Sequence, residues 1–312
     1  IQQHHQVELH IRQAMVPETI PETMAVIGSG AIGTELAYFY HCLGTEVTLI
    51  EYMDQLVPTE DEDIAAQLSR SFRKAGIKVM TSAGVQSAQK FAHGCSLEVH
   101  TKKGVENIEA EVVLSAVGVV PHTANMGLEE TGVHMTRGRI IVDKNFMTSV
   151  PGIYAVGDVL PTPSLAHLAS AEALCCVERM AGLNVPDVDY ENIPGCIYAT
   201  PEIASVGLRE KDAKKKGIAV KIGKYPFTAS GKANAAGERE GFVKLIFDAA
   251  DDRLLGAHII GAHATEMIGG IVASRGMQIR THDLIHSVFP HPTMSEGIME
   301  AAAIACGQCT NI

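Results

Sequence analysis

A chain of 312 residues with 46% hydrophobic and 20% charged residues has room for two or three compact domains and an ordinary globular composition. Its 36 acidic residues against 25 basic ones give a net charge of −11, which argues against nucleic acid or an anionic membrane surface as the main partner. No apolar stretch approaches the roughly 20 residues needed to span a bilayer.

The N-terminus, Ile1-Gln2-Gln3-His4-His5-Gln6, lacks an initiator Met, the basic start and apolar core of a secretion signal, and any early strand-and-turn pattern. Residues 1–20 therefore read as an irregular segment, and the opening as a fragment or an odd start. Seven cysteines, an odd number with no signal, suggest a reducing compartment, by default the cytoplasm.

From Met24 a pattern sets in. Met24-Ala25-Val26-Ile27 suits a buried parallel strand, a glycine turn follows, and Thr34 to Leu43 reads as a helix stopped by Gly44. Val47-Thr48-Leu49-Ile50 is the next strand, ending at Glu51. From Asp61 a helix carries Ile64, Leu68 and Phe72 on one face, Gly76 closes it, and Ile77 to Met80 returns as a strand. This is a doubly wound α/β unit. Residues 85–111 alternate in the manner of a small antiparallel excursion, and Val112 to Val117 restores a buried strand before Gly118. Gly152 to Asp158 reads as another buried strand, followed by a helix from about Leu165 to Met180. Beyond about residue 195 the texture shifts to alternating strands such as Phe242 to Phe247, and two Ala/Ile/Met-rich helices flank His291.

Gly28-Ser29-Gly30-Ala31-Ile32-Gly33 is a G-x-G-x-x-G sequence set between a strand and a helix. Gly28 permits the tight turn, Gly30 lets a pyrophosphate approach the backbone, and Gly33 lets helix and strand pack closely. Glu51 supplies the acid expected about 20 residues on, able to accept from ribose hydroxyls and to repel a 2′-phosphate. No Arg between Glu51 and Glu62 is placed to receive such a phosphate, so NAD is favoured over NADP. Asp158 ends the later strand and precedes a helix that opens at Leu165-Ala166-His167. It can accept from ribityl or ribose hydroxyls, or cap that helix; the helix start can stabilise negative charge on a reduced flavin.

His291 lies between Pro290 and Pro292, which restrict the backbone and aim the ring, and Glu296 can reach back to one ring nitrogen. A carboxylate there fixes the tautomer and raises the basicity of the other nitrogen. His4 and His5 sit in a polar tail, His263, His282 and His286 show no metal-ligand spacing with cysteines or acids, and no metal site is expected. Cys306-Gly307-Gln308-Cys309 has redox-pair spacing but reads as two tail cysteines, and Cys175-Cys176 as core packing.

Taken in order, Gly28 to Glu35, Glu51, Gly152 to Asp158, Leu165-Ala166-His167, Thr200-Pro201-Glu202 and His291 to Glu296 resemble the pyridine-nucleotide-disulfide oxidoreductases. The resemblance runs from about Pro21 to the C-terminus. It implies an NAD-binding domain at 21–120, the returning part of an FAD-binding domain at 121–190, and an α+β dimerisation domain at 191–312. It also implies that Asp158, Ala166 and His167 contact FAD, that Glu35 sits near the nicotinamide–flavin contact, and that Gly118 lies beside the dinucleotide. His291, polarised by Glu296, would serve the partner subunit as acid–base in a homodimer. The nearest members oxidise dihydrolipoamide, carried on a lipoyl domain of a 2-oxo acid dehydrogenase complex, and pass a hydride to NAD⁺.

Two departures stand out. Val119-Val120-Pro121-His122 occupies a stretch where many relatives carry Arg. The family's first FAD segment holds its own G-x-G-x-x-G and a C-x4-C disulfide, and no two cysteines here have that spacing. Two other readings stay open: another disulfide or metal-ion reductase, such as a mercuric reductase, and a non-enzymatic NAD-binding and dimerisation fragment.

Overall fold

The computed structural model describes residues 8, 9 and 11–308, which form two compact units. One unit is drawn from Ile1–Gly118 and Pro194–Ile312, the other is Val119–Ile193.

The larger unit begins with β1 (Glu8–Leu9), α1 (Ile11–Ala14), β2 (Thr23–Ile27), α2 (Ala31–Cys42), β3 (Glu46–Ile50), α3 (Glu62–Ala75) and β4 (Lys78–Met80). Then come β5 (Gly84–Phe91), β6 (Gly94–Thr101), β7 (Gly104–Ala110) and β8 (Val112–Ser115). A parallel sheet runs in the order β1-β8-β2-β3-β4. Both faces are covered, which is why its strands read as continuous apolar runs. Met24, Val26, Val47 and Leu49 pack with Tyr40, Ile64, Leu68 and Phe72 of the helices. On the opposite face Ala25, Ile50 and Val113 meet Leu97, Val99 and Ile108 of the antiparallel β5-β6-β7 sheet. Asp61 caps α3 by accepting from Asp63 N, and Gly76 ends it in the left-handed conformation at φ 108°.

Inside the segment expected to be irregular, Glu8–Leu9 pairs in parallel with Val113–Leu114, and a one-turn helix follows. Such a strand rests on backbone pairing alone and is too short to show periodicity. His4 and His5 lie outside the described residues.

The smaller unit holds α4 (Leu128–Thr131), β9 (Met135–Thr136), β10 (Arg139–Ile140) and α5 (Ala166–Met180). Val133, Ile140, Phe146, Leu160, Cys175 and Cys176 form its core. Gly152 to Asp158 is not a strand: it makes one antiparallel bridge, Met147 to Tyr154, and turns into a 3-10 helix at Gly157–Val159. An apolar run signals burial, whereas a strand also needs a neighbour to hydrogen-bond. No parallel neighbour exists among the described residues.

The larger unit resumes with β11 (Gly195–Ile197), β12 (Ile203–Gly207), α6 (Glu210–Lys215), β13 (Val220–Pro226), α7 (Gly231–Ala236), β14 (Gly241–Asp248) and β15 (Leu254–Gly261). It ends with α8 (Ala264–Gly276), α9 (Thr281–Ile285) and α10 (Glu296–Ala305). The sheet order is β11-β12-β15-β14-β13, antiparallel throughout. α10 approaches β13 so closely that a Cβ at Gly223 would lie 1.7 Å from the Ala301 carbonyl oxygen.

Phe242 to Phe247 was expected to alternate, yet every residue from Phe242 to Phe247 is buried, Lys244 included. Lys244 Nζ donates to Asp61 Oδ1 at 2.8 Å, Asp63 Oδ2 at 2.8 Å and Glu210 Oε2 at 2.7 Å. Burial alone would push the ammonium down, but the three carboxylates outweigh it and raise it above the ordinary lysine range.

His258 on β15 is also buried, with Nε2–H donating to the Leu208 carbonyl at 3.1 Å. Burial holds this imidazole below its usual value, aided by the Lys244 and Arg209 cations and opposed by Asp61 and the Leu208 carbonyl. As pH falls through about 6.5 the unfolded chain takes up a proton that the folded chain resists, so His258 costs stability below that pH. Urea midpoints of the wild type are therefore expected to fall more steeply from pH 7.5 to 5.5 than those of His258→Gln. Parallel curves would rule His258 out as a source of acid sensitivity.

Candidate functional site

β2 delivers Gly28 to a turn that α2 continues. A Cβ at Gly28 would lie 2.6 Å from the Ala116 carbonyl oxygen, and one at Gly33 would lie 1.9 Å from the Gly28 carbonyl oxygen. Gly28 and Gly33 are thus closed in by backbone, whereas Gly30 is exposed and faces open space. α2 has no side-chain cap at Gly30. A bare helix N-terminus behind an open glycine is a cradle for a pyrophosphate. These residues fit NAD.

Glu51 is buried directly after β3. Its Oε2 accepts from Ser29 N at 2.9 Å and Ser29 Oγ at 2.7 Å, and its Oε1 accepts from Met53 N at 2.8 Å. The carboxylate therefore organises the glycine turn and ties it to the chain after β3. Glu35, on α2, accepts from Tyr198 N at 2.9 Å, which ties the helix to the chain after β11. Gly118 is exposed at φ 131° with nothing near its Cβ position.

Within the smaller unit Asp158 is exposed, and α5 opens at Leu165 with no side-chain cap, leaving Ala166 and His167 on the surface. Arg139 Nη1 donates to the carbonyls of Asp158 at 3.2 Å and Leu160 at 2.5 Å. The fully buried Glu172 accepts from Gly157 N at 2.7 Å and Tyr190 Oη at 3.0 Å. Burial first, then the Glu172 carboxylate, pushes the Tyr190 hydroxyl up to about 12. Arg139 and Glu172 hold this turn, an exposed acid beside an uncapped helix start, and such a surface fits one edge of a flavin.

His291 Nδ1 lies 2.9 Å from Glu296 Oε1, while Glu296 Oε2 accepts from Thr293 N at 2.8 Å. The His291–Pro292 peptide bond is cis, as is Thr200–Pro201. The His291 side chain is 78% exposed. Partial burial would raise the Glu296 carboxyl, but the Thr293 N–H and His291 outweigh it and hold it below the usual range. Glu296 is thus a standing carboxylate beside Nδ1, an arrangement that favours the tautomer with the proton on Nδ1.

Glu202 Oε2 caps α8 by accepting from Thr265 N at 3.0 Å and Thr265 Oγ1 at 2.7 Å. No metal-binding cluster occurs among the described residues; the rings of His282 and His286 lie 4.2 Å apart between centroids, tilted at 52°. Cys175 and Cys176 are buried, Cys306 is exposed, and Cys309 lies outside the described residues. A cavity of about 930 Å³ between α3 and the second sheet is lined by Arg70, Lys74, Lys224, Arg239, Glu202 and His263 among others. It contains none of the predicted site residues.

Sequence reasoning missed Ser29, Glu172 and Lys244. Ser29 sits inside the glycine motif as an unspecified residue, so nothing local marked it. Glu172 interrupts an apolar helix face, a signal that was available.

A role of Glu51 in nucleotide choice can be read by titration. The chain is expected to bind NAD⁺ more tightly than NADP⁺, and Glu51→Ala to narrow the gap and weaken NAD⁺ by about tenfold, the loss of one charge-assisted bond. Equal affinities in the wild type would reject this role.

The model of the pyridine nucleotide-disulphide oxidoreductase family matches residues 2–173, and that family's dimerisation-domain model matches 193–302. A dihydrolipoyl dehydrogenase of Rhizobium etli is 44% identical over 301 residues, 96% of this chain and 63% of that protein. A dihydrolipoyl dehydrogenase of Zymomonas mobilis is 41% identical over 297 residues, 95% of this chain and 64% of that protein. The chain thus spans a little over three-fifths of these two relatives. Among solved structures, the HOCl-induced flavoprotein disulfide reductase RclA of Escherichia coli superposes with a TM-score of 0.88 at 25% identity, covering 96% of this chain and 68% of that one. With the glycine cradle, Glu51 and the His291–Glu296 pair set in the family's order, these matches leave one assignment: the chain belongs to the pyridine nucleotide-disulphide oxidoreductase family.

Proposed function

We propose that the chain acts in a dihydrolipoyl dehydrogenase, oxidising dihydrolipoamide to lipoamide while NAD⁺ takes up a hydride and one proton is released. The His291–Glu296 pair, at 2.9 Å with the imidazole largely exposed, carries this reading, because a dithiol must lose protons as it is oxidised. Gly28, Gly30, Gly33 and Glu51 hold the dinucleotide, with Glu35 and Gly118 flanking it. Asp158, Ala166 and His167 hold one edge of FAD. When bound, FAD supplies the two-electron relay between dithiol and nicotinamide.

Nucleotide binding falls to residues 21–120, flavin contact to 121–190 and dimerisation to 191–312. A homodimer would cover exposed apolar side chains such as Met277 and Val288 and bring His291 to the partner's flavin. The dithiol would arrive on a lipoyl domain of a 2-oxo acid dehydrogenase complex. No described helix is long and apolar enough to cross a membrane, and no disulfide joins the described cysteines; a cytoplasmic location accords with both.

The test is a chimera carrying the amino-terminal third of the Rhizobium etli relative, compared with the 312-residue chain alone. The chain alone, offering one edge of the flavin site, is expected to retain no FAD through gel filtration. The chimera is expected to be a yellow dimer in ultracentrifugation and to reduce NAD⁺ with dihydrolipoamide. A flavin-loaded chimera inert towards dihydrolipoamide would overturn the proposal.

A further inference from the structure

The stretch between Glu51 and α3 is held by two distant parts of the chain, the turn after β2 and the start of α6. Midway along it, Val57 N donates to Ser29 O at 3.2 Å and to Ser29 Oγ at 3.1 Å, the same hydroxyl that donates to Glu51. Val57 holds a φ of 42° while fully buried. A β-branched residue in the left-handed region is strained and persists only where its surroundings over-determine it. The surroundings include a residue far along the chain. Arg209, at the N-terminus of α6, donates from Nη1 to the carbonyls of Pro58 at 3.2 Å and Thr59 at 2.9 Å. Its own Nε is fixed by Asp212 Oδ2 at 2.6 Å. Two residues further on, Asp61 is locked to Lys244.

We infer that Arg209 is a positioning residue for the nucleotide site: through Pro58 and Thr59 it holds the strained Val57, and through Ser29 it sets Glu51 and the glycine turn. The inference rests on the NAD reading. It makes dinucleotide affinity depend on the fold of the second sheet and α6, which supply Arg209 to the carbonyls of this loop and hold Asp61 through Lys244 and Glu210 N. Without the guanidinium, Val57 relaxes towards negative φ, its N–H leaves Ser29, and the cradle is ordered in only a fraction of molecules. Affinity falls by that fraction.

The experiment titrates NAD⁺ and ADP-ribose into the full 312-residue chain and into Arg209→Gln, Arg209→Lys, Ser29→Ala and the Arg209→Gln/Ser29→Ala pair. Hydrogen exchange follows the amides of 52–60 alongside. Arg209→Gln is expected to raise both dissociation constants about tenfold, as for a site competent in about a tenth of molecules. It is also expected to speed exchange at Val57 and Glu60 while leaving β3 and α2 protected. Arg209→Lys, which retains a donor, should recover most of the affinity. The double variant should lose no more than the larger single effect, because both act on one linkage. Unchanged affinity in Arg209→Gln, additive losses in the pair, or loss of protection across the whole unit, as a merely structural role gives, would each overturn the inference and leave NAD binding standing. A wild type that binds no NAD⁺ would overturn the NAD reading and the inference together.

Discussion

Lys244→Met is expected to destabilise the larger unit by about 3–5 kcal/mol, the usual cost of stranding a buried charge. The ammonium is 2% exposed, and so is Asp61. Asp63 and Glu210 are 40% and 50% exposed and can turn to water, but Asp61 cannot, because it also caps α3. Methionine fills the space of the lysine stem and leaves Asp61 either ionised in apolar surroundings or protonated and a poorer cap. Urea unfolding at neutral pH reads the loss as a lower midpoint with an unchanged slope. The Lys244→Met/Asp61→Asn double variant is expected to recover part of it, since an amide still caps α3 and carries no charge. A Lys244→Met midpoint equal to the wild type would mean that the cluster is solvated in solution and contributes nothing.

His291→Gln carries the largest expected effect on turnover. In a flavin-loaded chimera, replacing the imidazole is expected to lower turnover with dihydrolipoamide about 10²–10⁴-fold, the usual worth of a general acid–base. Glutamine keeps a hydrogen-bonding side chain between Pro290 and Pro292 but cannot accept a proton near neutral pH. Glu296→Gln should cost less: the imidazole remains, but its tautomer is no longer fixed, so only part of the molecules present a free Nε2. A Glu296→Gln enzyme with unchanged turnover would show that the carboxylate only shapes the loop. A His291→Gln enzyme with near-normal turnover would remove the histidine from the reaction.

These predictions draw on information of two kinds. The nucleotide cradle was legible because its parts are close in sequence: an apolar strand, a turn that only glycine can make, a helix and a strand-end acid. The His291–Glu296 pair was legible for the same reason, five residues apart with two prolines restricting the path. The α3 cap at Asp61 and stop at Gly76 are likewise local, fixed by which residues satisfy the free N–H and carbonyl groups of a helix end.

Long-range partners were not legible. A lysine within Phe242 to Phe247 reads as the polar position of an alternating strand, yet Lys244 is buried against Asp61, 183 residues away. Gly152 to Asp158 has the composition of a parallel strand, but its apolar residues report only that they leave water, not which strand lies beside them. Ser29 gained its role when the fold brought Val57 and Glu51 to one hydroxyl. By itself the sequence determined the elements, the caps and the short-range site geometry, since propensity, turn conformation and neighbouring hydrogen bonds are set within a few residues. The tertiary structure alone decided which charges are buried together, which runs find a pairing edge and which distant side chain steadies the nucleotide loop, because desolvation and hydrogen bonding depend on what arrives from elsewhere in the chain.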